Sequence, residues 1–193
     1  MKIILIRHGQ TNYNSKRLIQ GHVDAPLNNV GLKQAREAGN ALKKLEITID
    51  KVISSPLSRA LETGHVVAKK IGYKEHIIID YNFIERDFGK FELTKIADNF
   101  PKIIDNDHQS DGVENNDALL KRIKEGIINL NGKYKNKTVL IAAHAHVIRS
   151  FYILFDKNKY NYMNFFLGNG SIHIFQYLND ELKLLETHNN EEQ

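Results

Sequence analysis

Five side chains of this chain have the chemistry of a phosphate-transfer site: Arg7, His8, Arg59, Glu85 and His144. Two guanidinium groups can hold the oxygens of a phosphate by paired, charge-assisted hydrogen bonds. A neutral imidazole can attack phosphorus, because histidine is nucleophilic near neutral pH. A carboxylic acid can protonate the departing alkoxide. Brought together, these groups would transfer a phosphoryl group through a phosphohistidine without a metal ion.

The segments between these residues alternate between two patterns. Short apolar runs predict six strands, at 3–6, 51–54, 77–79, 139–143, 172–177 and 182–185. The last two strands are expected to form a hairpin. Apolar residues at helical spacing predict amphipathic helices at 31–45, 56–71, 117–130 and 147–155. Strands that alternate with helices indicate an α/β fold with a mostly parallel sheet and helices on both faces.

The order of the elements places the five side chains together. The first strand runs into Arg7 and His8, and the second leads to Arg59. The third is followed by Glu85 and the fourth by His144. Sheets of this kind bind ligands outside the carboxyl ends of their strands. We therefore expect all five side chains at one edge of the sheet.

Three local signals refine the boundaries. The second helix is expected to open at Pro56, a favourable first helical residue. The third is expected to be capped by Asn115, Asn116 or Asp117. The polar tail after Glu186 is expected to fray.

Residues 85–116 differ from the rest of the chain. They are richer in acidic residues and asparagine, and show only a weak helical pattern at 92–100. A chain of 193 residues fits one domain. We therefore expect a single domain over 1–193 with a lid-like insertion at about 85–116.

The composition excludes several classes of protein. The chain has no cysteine, which rules out disulfide scaffolds, cysteine nucleophiles and thiolate metal sites. Its net charge of +4 is too small to indicate nucleic-acid binding, but suits a small anionic substrate. No apolar run approaches the ~18 residues of a membrane span. We expect a cytoplasmic protein with no nucleic-acid or membrane partner, and the sequence leaves its oligomeric state open.

The sequence also argues against a cofactor. It contains neither the GxxxxGK pattern of a nucleotide-binding loop nor the HExxH pattern of zinc proteases. His144 and His146 alternate along an extended stretch, but no cluster of carboxylates accompanies them. We expect no metal site and no cofactor.

Two longer signatures surround the candidate residues. Residues 5–11 read LIRHGQT, followed by Asn14, Gln20 and Gly21, and residues 54–63 read SSPLSRALET. Together with Glu85 and His144, they resemble the histidine phosphatase superfamily in its phosphoglycerate-mutase-like branch. The match extends from residue 1 to about 177. The resemblance implies the three-layer α/β/α sandwich of that family, with a mostly parallel central sheet.

The resemblance also implies a role for each catalytic candidate. His8 would be the nucleophile, while Arg7, Arg59 and His144 would hold the phosphoryl group. Glu85 would donate a proton to the leaving group and later act as a base.

Four further residues would bind the substrate. Asn14 would line the phosphate pocket, and Gln20 and Gly21 would face the substrate. Ala145 replaces the glycine that is usual in the family, and its backbone N–H could still reach the phosphate.

Three other residues carry open alternatives. His146 is either a third pocket residue or a helix-capping, partly buried one. Glu92 is expected to be a salt-bridge partner rather than an acid. The loop residues Arg17 and His22 could set specificity or simply be solvated.

The chain departs from the mutases of the family. Residues 97–116 contain one cation, Lys102, where mutases carry an adjacent pair of arginines that holds the substrate carboxylate. This difference favours a metal-independent phosphatase acting on a small phosphorylated metabolite. The alternatives are a 2,3-bisphosphoglycerate-dependent phosphoglycerate mutase and a weakly active module that binds phosphorylated ligands.

Overall fold

The computed structural model describes residues 1–104 and 111–189. Its centre is a six-stranded sheet in the order β3-β2-β4-β1-β5-β6. The strands are β1 Lys2–Arg7, β2 Lys51–Ser54, β3 Ile78–Ile79, β4 Thr138–Ala143, β5 Ile172–Leu178 and β6 Glu181–His188. The first four are parallel, β5 runs antiparallel to β1, and β6 runs antiparallel to β5. The mostly parallel sheet predicted from the sequence is confirmed.

Helices cover both faces of this sheet. They are α1 Asn12–Ser15, α2 Asn29–Lys44, α3 Ser58–Ile71, α4 Ile96–Ile104, α5 Asn116–Tyr134 and α6 Ala145–Phe155. Strand β1 shows the layering, because successive side chains point to opposite faces. Ile3 and Leu5 pack with residues of α5 and α6, whereas Ile4 and Ile6 pack with residues of α2 and α3. The chain is therefore a three-layer α/β/α sandwich, as the resemblance implied.

The strand register aligns the ends that carry the candidate residues. Arg7 at the end of β1 is paired with Ala143 at the end of β4. Ser54 at the end of β2 is paired with Ala142. The residues that follow these three strands therefore leave the sheet at one edge.

The segment predicted as a lid-like insertion contains two short elements, the 3₁₀ turn Gly89–Phe91 and helix α4. Ile19, Phe88, Ile103 and Val113 form a small buried cluster of their own. The helix predicted at 92–100 begins and ends four residues later than expected. Residues 105–110 of the predicted insertion lie outside the described residues.

Two predicted boundaries are wrong. Helix α3 begins at Ser58 and not at Pro56, because Asp24 of a distant loop accepts hydrogen bonds from the backbone N–H and the hydroxyl of Ser58. The tail expected to fray after Glu186 continues in β6 to His188, which pairs with Ile172. Backbone pairing with β5 sets that end, although its side chains are polar.

One predicted helix cap and the predicted hairpin are confirmed. Asn115 caps α5 by accepting a hydrogen bond from the N–H of Ala118. Asn179 and Asp180 join β5 to β6, both with positive φ angles of 51° and 61°. Among the described residues, no helix is long and apolar enough to cross a membrane.

Candidate active site

The end of β1 is fixed from both sides. The backbone N–H of His8 donates to the carbonyl of Ala143 in β4 at 2.9 Å. The side-chain amide of Asn169 donates to the carbonyl of His8 at 2.9 Å. The guanidinium group of Arg7 donates to the carbonyl of Leu167. The loop before β5 therefore holds both residues in place.

His8 has the protonation state that a nucleophile needs. Its Nδ1 lies 2.7 Å from the carbonyl oxygen of Gly9, which can only accept, so Nδ1 carries the proton and Nε2 keeps its lone pair. The ring is 3% exposed. Burial lowers the pKa of His8 well below its usual value, and the positive charge of Arg59 lowers it further. His8 is therefore a neutral imidazole at pH 7.

Gly9 allows helix α2 to approach this loop. A Cβ atom at Gly9 would lie 2.3 Å from the carbonyl oxygen of Gly31 in α2. The N–H of Gly9 also donates to the hydroxyl of Thr63 in α3 at 3.1 Å. Two helices thus pack directly against the backbone that follows His8.

Arg59 lies in the first turn of α3 and is 1% exposed. Its terminal nitrogens donate to the carbonyls of Gly21 at 2.7 Å and Val23 at 2.9 Å. Its buried Nε has no hydrogen-bond partner among the described residues. Burial lowers the pKa of Arg59, and the Glu85 carboxylate acts in the opposite direction. A fixed, buried guanidinium group with a donor to spare is suited to holding an anion.

His144 is fully buried next to His8. The two rings are 5.2 Å apart between centroids. Nε2 of His144 lies 2.7 Å from the hydroxyl of Ser55, which follows β2. Burial, with the charge of Arg59, lowers the pKa of His144 well below its usual value. Its buried Nδ1 has no partner in the described part of the chain.

Glu85 is 6% exposed, and its carboxylate faces the start of α6. One oxygen accepts hydrogen bonds from the N–H of Arg86 at 2.9 Å and of His146 at 3.2 Å. Burial favours the neutral form, but the contact with His146 and the hydrogen bond from the N–H of Arg86 favour the carboxylate and hold the pKa of Glu85 well below its usual range. Glu85 is therefore a carboxylate in the free site.

The loop that carries Glu85 is anchored by its neighbours. The buried side chain of Arg86 donates to the carbonyl of Glu114 at 2.7 Å and to the side-chain oxygen of Asn116 at 2.9 Å. Nε2 of His22 donates to the carbonyl of Glu85 at 2.8 Å. His22 is therefore a support of the acid loop.

A pocket of about 90 Å³ lies in front of His8. Eight of the nine predicted site residues line it: Arg7, His8, Asn14, Gln20, Gly21, Arg59, Glu85 and Ala145. The ninth, His144, is not among the lining residues, and its ring centroid lies 5.2 Å from that of His8. A larger open depression of about 570 Å³, lined by residues 42–43, 46–50 and 71–75, contains none of them. Arg17 is exposed and is not among the residues that line the smaller pocket.

The four predicted substrate-binding residues are held by local contacts. The backbone N–H of Thr11 donates to the side-chain oxygen of Asn14 at 3.0 Å. The hydroxyl of Thr11 donates to the side-chain oxygen of Gln20 at 2.8 Å. Gly21 has a φ of 52°, which favours glycine. Ala145 is the first residue of α6, so the amino-terminal end of this helix, which attracts anions, lies at the pocket.

Two nearby residues have roles that the sequence did not predict: it left the role of His146 open, and it assigned Glu92 to a salt bridge. His146 is 3% exposed, lines the pocket and stacks on Tyr162 with 5.5 Å between ring centroids. The prediction of a salt bridge for Glu92 is wrong. Its two oxygens instead accept hydrogen bonds from the N–H groups of His22 at 2.6 Å and Val23 at 3.0 Å. Glu92 therefore shapes the loop whose carbonyls bind Arg59.

The residues described here, 1–104 and 111–189, contain no group of three or more His, Asp or Glu side chains placed to hold a metal ion. The pocket instead concentrates positive charge from Arg7 and Arg59 in front of a neutral imidazole. This arrangement can bind a phosphate monoester and present Nε2 of His8 to phosphorus.

An α/β sandwich with this pocket defines a class of phosphoryl-transfer enzymes. The sequence matches the histidine phosphatase superfamily (branch 1) over residues 3–190, and the chain belongs to this family. The resemblance stated from the sequence is thus confirmed, and the protein is a phosphomonoesterase of this superfamily.

Relatives of known name fall in the same group. Phosphoglycerate mutase-like protein 4 of Arabidopsis thaliana is 34% identical over 161 residues, which cover 78% of this chain and 69% of that protein. The uncharacterized phosphatase PhoE of Bacillus subtilis is 34% identical over 149 residues, covering 77% and 74%. A crystal structure of phosphoserine phosphatase from Entamoeba histolytica with 3-phosphoglyceric acid matches with a TM-score of 0.82 and 28% identity, covering 98% of this chain and 97% of that one.

Proposed function

We propose that this protein is a metal-independent phosphatase that hydrolyses a small phosphorylated metabolite through a phosphohistidine at His8. One observation carries the proposal. The Nδ1–H of His8 is held by the carbonyl of Gly9, so the neutral ring keeps a lone pair on Nε2 within a pocket lined by two arginines. The cytoplasmic location expected from the sequence stays part of this proposal.

In the first step, the phosphoryl group binds between Arg7 and Arg59. The free Nε of Arg59 and the amino-terminal end of α6 at Ala145 supply further donors. Nε2 of His8 then attacks phosphorus while the bond from phosphorus to the alcohol oxygen breaks. The fixed positive charges stabilise the negative charge spread over the transferring group.

The proton for the leaving alcohol comes from Glu85, which must first acquire one. A bound phosphate dianion is a like charge beside the carboxylate and raises its pKa. A monoester whose second pKa is about 6 also brings a proton when it binds as the monoanion. In the second step, Glu85 takes a proton from the water that attacks the phosphohistidine, which restores His8 and releases phosphate.

The phosphohistidine can be trapped directly. Quenching the protein during turnover of a labelled phosphate ester should leave protein-bound phosphate that is labile to acid and stable to base, as a phosphoramidate is. His8→Ala should trap none, while the control His65→Ala, at an exposed position of α3, should trap the full amount. Label on another residue, or full activity of His8→Ala, would contradict the assignment.

The two alternatives predict other results in the same experiments. A mutase needs a bisphosphorylated primer to load His8 and would return the phosphoryl group to an acceptor instead of releasing it. A binding module would show no steady turnover of any ester. Phosphate release measured beside a mutase assay, over phosphorylated sugars, glycolytic acids and nucleotides, separates the three.

A further inference from the structure

The pocket has two chemically different parts. The polar part consists of the residues assigned above to the phosphoryl group, to the substrate and to proton transfer: Arg7, His8, Asn14, Gln20, Gly21, Arg59 and Glu85. Ala145 and His146 at the start of α6 also line the pocket. The remaining described lining residues are all apolar, and they form the second part: Leu18, Ile19, Phe88, Ile96 and Phe100. An ester bound with its phosphoryl group at His8 must place its alcohol portion against this second part.

The apolar part is a well-built surface. The N–H of Ile19 donates to the carbonyl of Thr94 at 2.9 Å, and the N–H of Ile96 donates to the carbonyl of Arg17 at 3.0 Å. Ile19 and Phe88 belong to the buried cluster beneath helix α4, and Phe100 packs against the same cluster. Three of the five wall residues therefore belong to or pack on a small hydrophobic core, while Leu18 is half-buried and Ile96 is exposed at its edge.

No cation among the described lining residues is available to a second anionic group. Arg7 and Arg59 are the only lysine or arginine side chains in that lining, and both serve the phosphoryl group. The nearby cations Arg17, Lys95 and Lys102 are exposed and are absent from the described lining. A carboxylate against this wall would lose its hydration without gaining an ionic partner.

We propose that the natural substrate is a monophosphate ester whose alcohol portion is small, uncharged and apolar, and not a phosphorylated carboxylic acid. This inference rests on the phosphatase function proposed above. The small volume of the pocket, about 90 Å³, favours a short alkyl or aryl substituent beside the phosphoryl group.

The test compares esters of equal leaving-group chemistry. In the series ethyl, propyl and butyl phosphate, kcat/KM should rise about fourfold per methylene, as expected for burial of apolar surface. The decisive pair is 3-methylbutyl phosphate and 2-carboxyethyl phosphate. The first ends in an isopropyl group and the second in a carboxylate of similar shape. The isopropyl ester should be favoured by at least about tenfold, because it buries roughly two more apolar groups.

A substitution should reverse this preference. Leu18→Arg places a cation at the half-exposed edge of the wall and should raise kcat/KM for 2-carboxyethyl phosphate while lowering it for the isopropyl ester. Leu178→Arg, at an exposed position at the end of β5, is the matched control and should leave the ratio unchanged. Thermal unfolding of both variants checks that they are folded.

The outcomes separate this inference from the proposed function. Release of phosphate from all esters with equal rates, or with a preference for the carboxylate ester or 3-phosphoglycerate, overturns the substrate class and leaves the phosphatase intact. No change in the ratio for a folded Leu18→Arg overturns the placement of the alcohol portion at Leu18. Absence of phosphate release from every ester overturns the proposed function itself.

Discussion

Replacement of Glu85 by glutamine tests the proton donor with little change of shape. The side-chain oxygen of the introduced glutamine can still accept the hydrogen bonds from the N–H groups of Arg86 and His146, so the acid loop should keep its geometry. What the substitution removes is the proton and the negative charge. The loop fold and the phosphate site should both survive it.

The size of the effect depends on the leaving group. An alkyl phosphate releases a strongly basic alkoxide, and general acid catalysis is worth about 10²–10⁴ in rate. Because the Glu85 residue is only 6% exposed, bulk water is poorly placed to supply the proton, so we expect the upper half of that range. Nitrophenyl phosphate releases a stable phenolate, and its rate should fall by less than about tenfold.

The assay is single-turnover phosphorylation of His8 by an alkyl phosphate and by nitrophenyl phosphate. Steady-state rates would mix this step with hydrolysis of the phosphohistidine, in which Glu85 also acts. Glu62→Gln is the control, because Glu62 lies on α3 and accepts a hydrogen bond from the N–H of Leu27 at 2.8 Å without lining the pocket. Equal losses on the two substrates would refute the proton-donor role and indicate a structural one, with Asp87 or Glu92 as the next candidate acid.

Three further predictions concern the metal, the phosphate clamp and the buried histidines. Phosphatase activity should persist in excess chelator, and complete loss that a divalent ion restores would refute the metal-free mechanism. In Arg59→Lys, a single ammonium nitrogen replaces the two terminal nitrogens that bind the two carbonyls, so kcat/KM should fall by about 10–100-fold. Wild-type kinetics in this variant would exclude Arg59 from the phosphate clamp. Burial lowers the pKa of His146 from about 6.5 to about 4. As the pH falls between these two values, His146 is protonated in the unfolded chain but not in the folded one, so the free energy of unfolding decreases. His146 should thus contribute roughly 2 kcal/mol of the loss in unfolding free energy between pH 7 and pH 5. Denaturant unfolding of the parent and of His146→Phe at both pH values measures this; an unchanged pH dependence in the variant would contradict it.

The helices of this chain show which structural features local sequence patterns can predict and which they cannot. Leu119, Ile123 and Ile127 recur at helical spacing and are buried in α5 as predicted, because one apolar face must pack on the sheet. The start of α3 could not be read in the same way. Its first turn is capped by Asp24, which is 34 residues away from Ser58 and comes close only in the folded chain.

The sequence by itself determined the sheet, the family and the residues that meet at its edge. Local periodicity fixes which segments are strands and helices, and the parallel order of the strands then brings Arg7, His8 and His144 together. Only the tertiary structure decided their states and surroundings. The neutral form of His8 and the ionised form of Glu85 depend on burial, and the apolar wall at Leu18 and Ile96 depends on the pairing of two segments far apart in the chain. A linear pattern carries no information about such contacts.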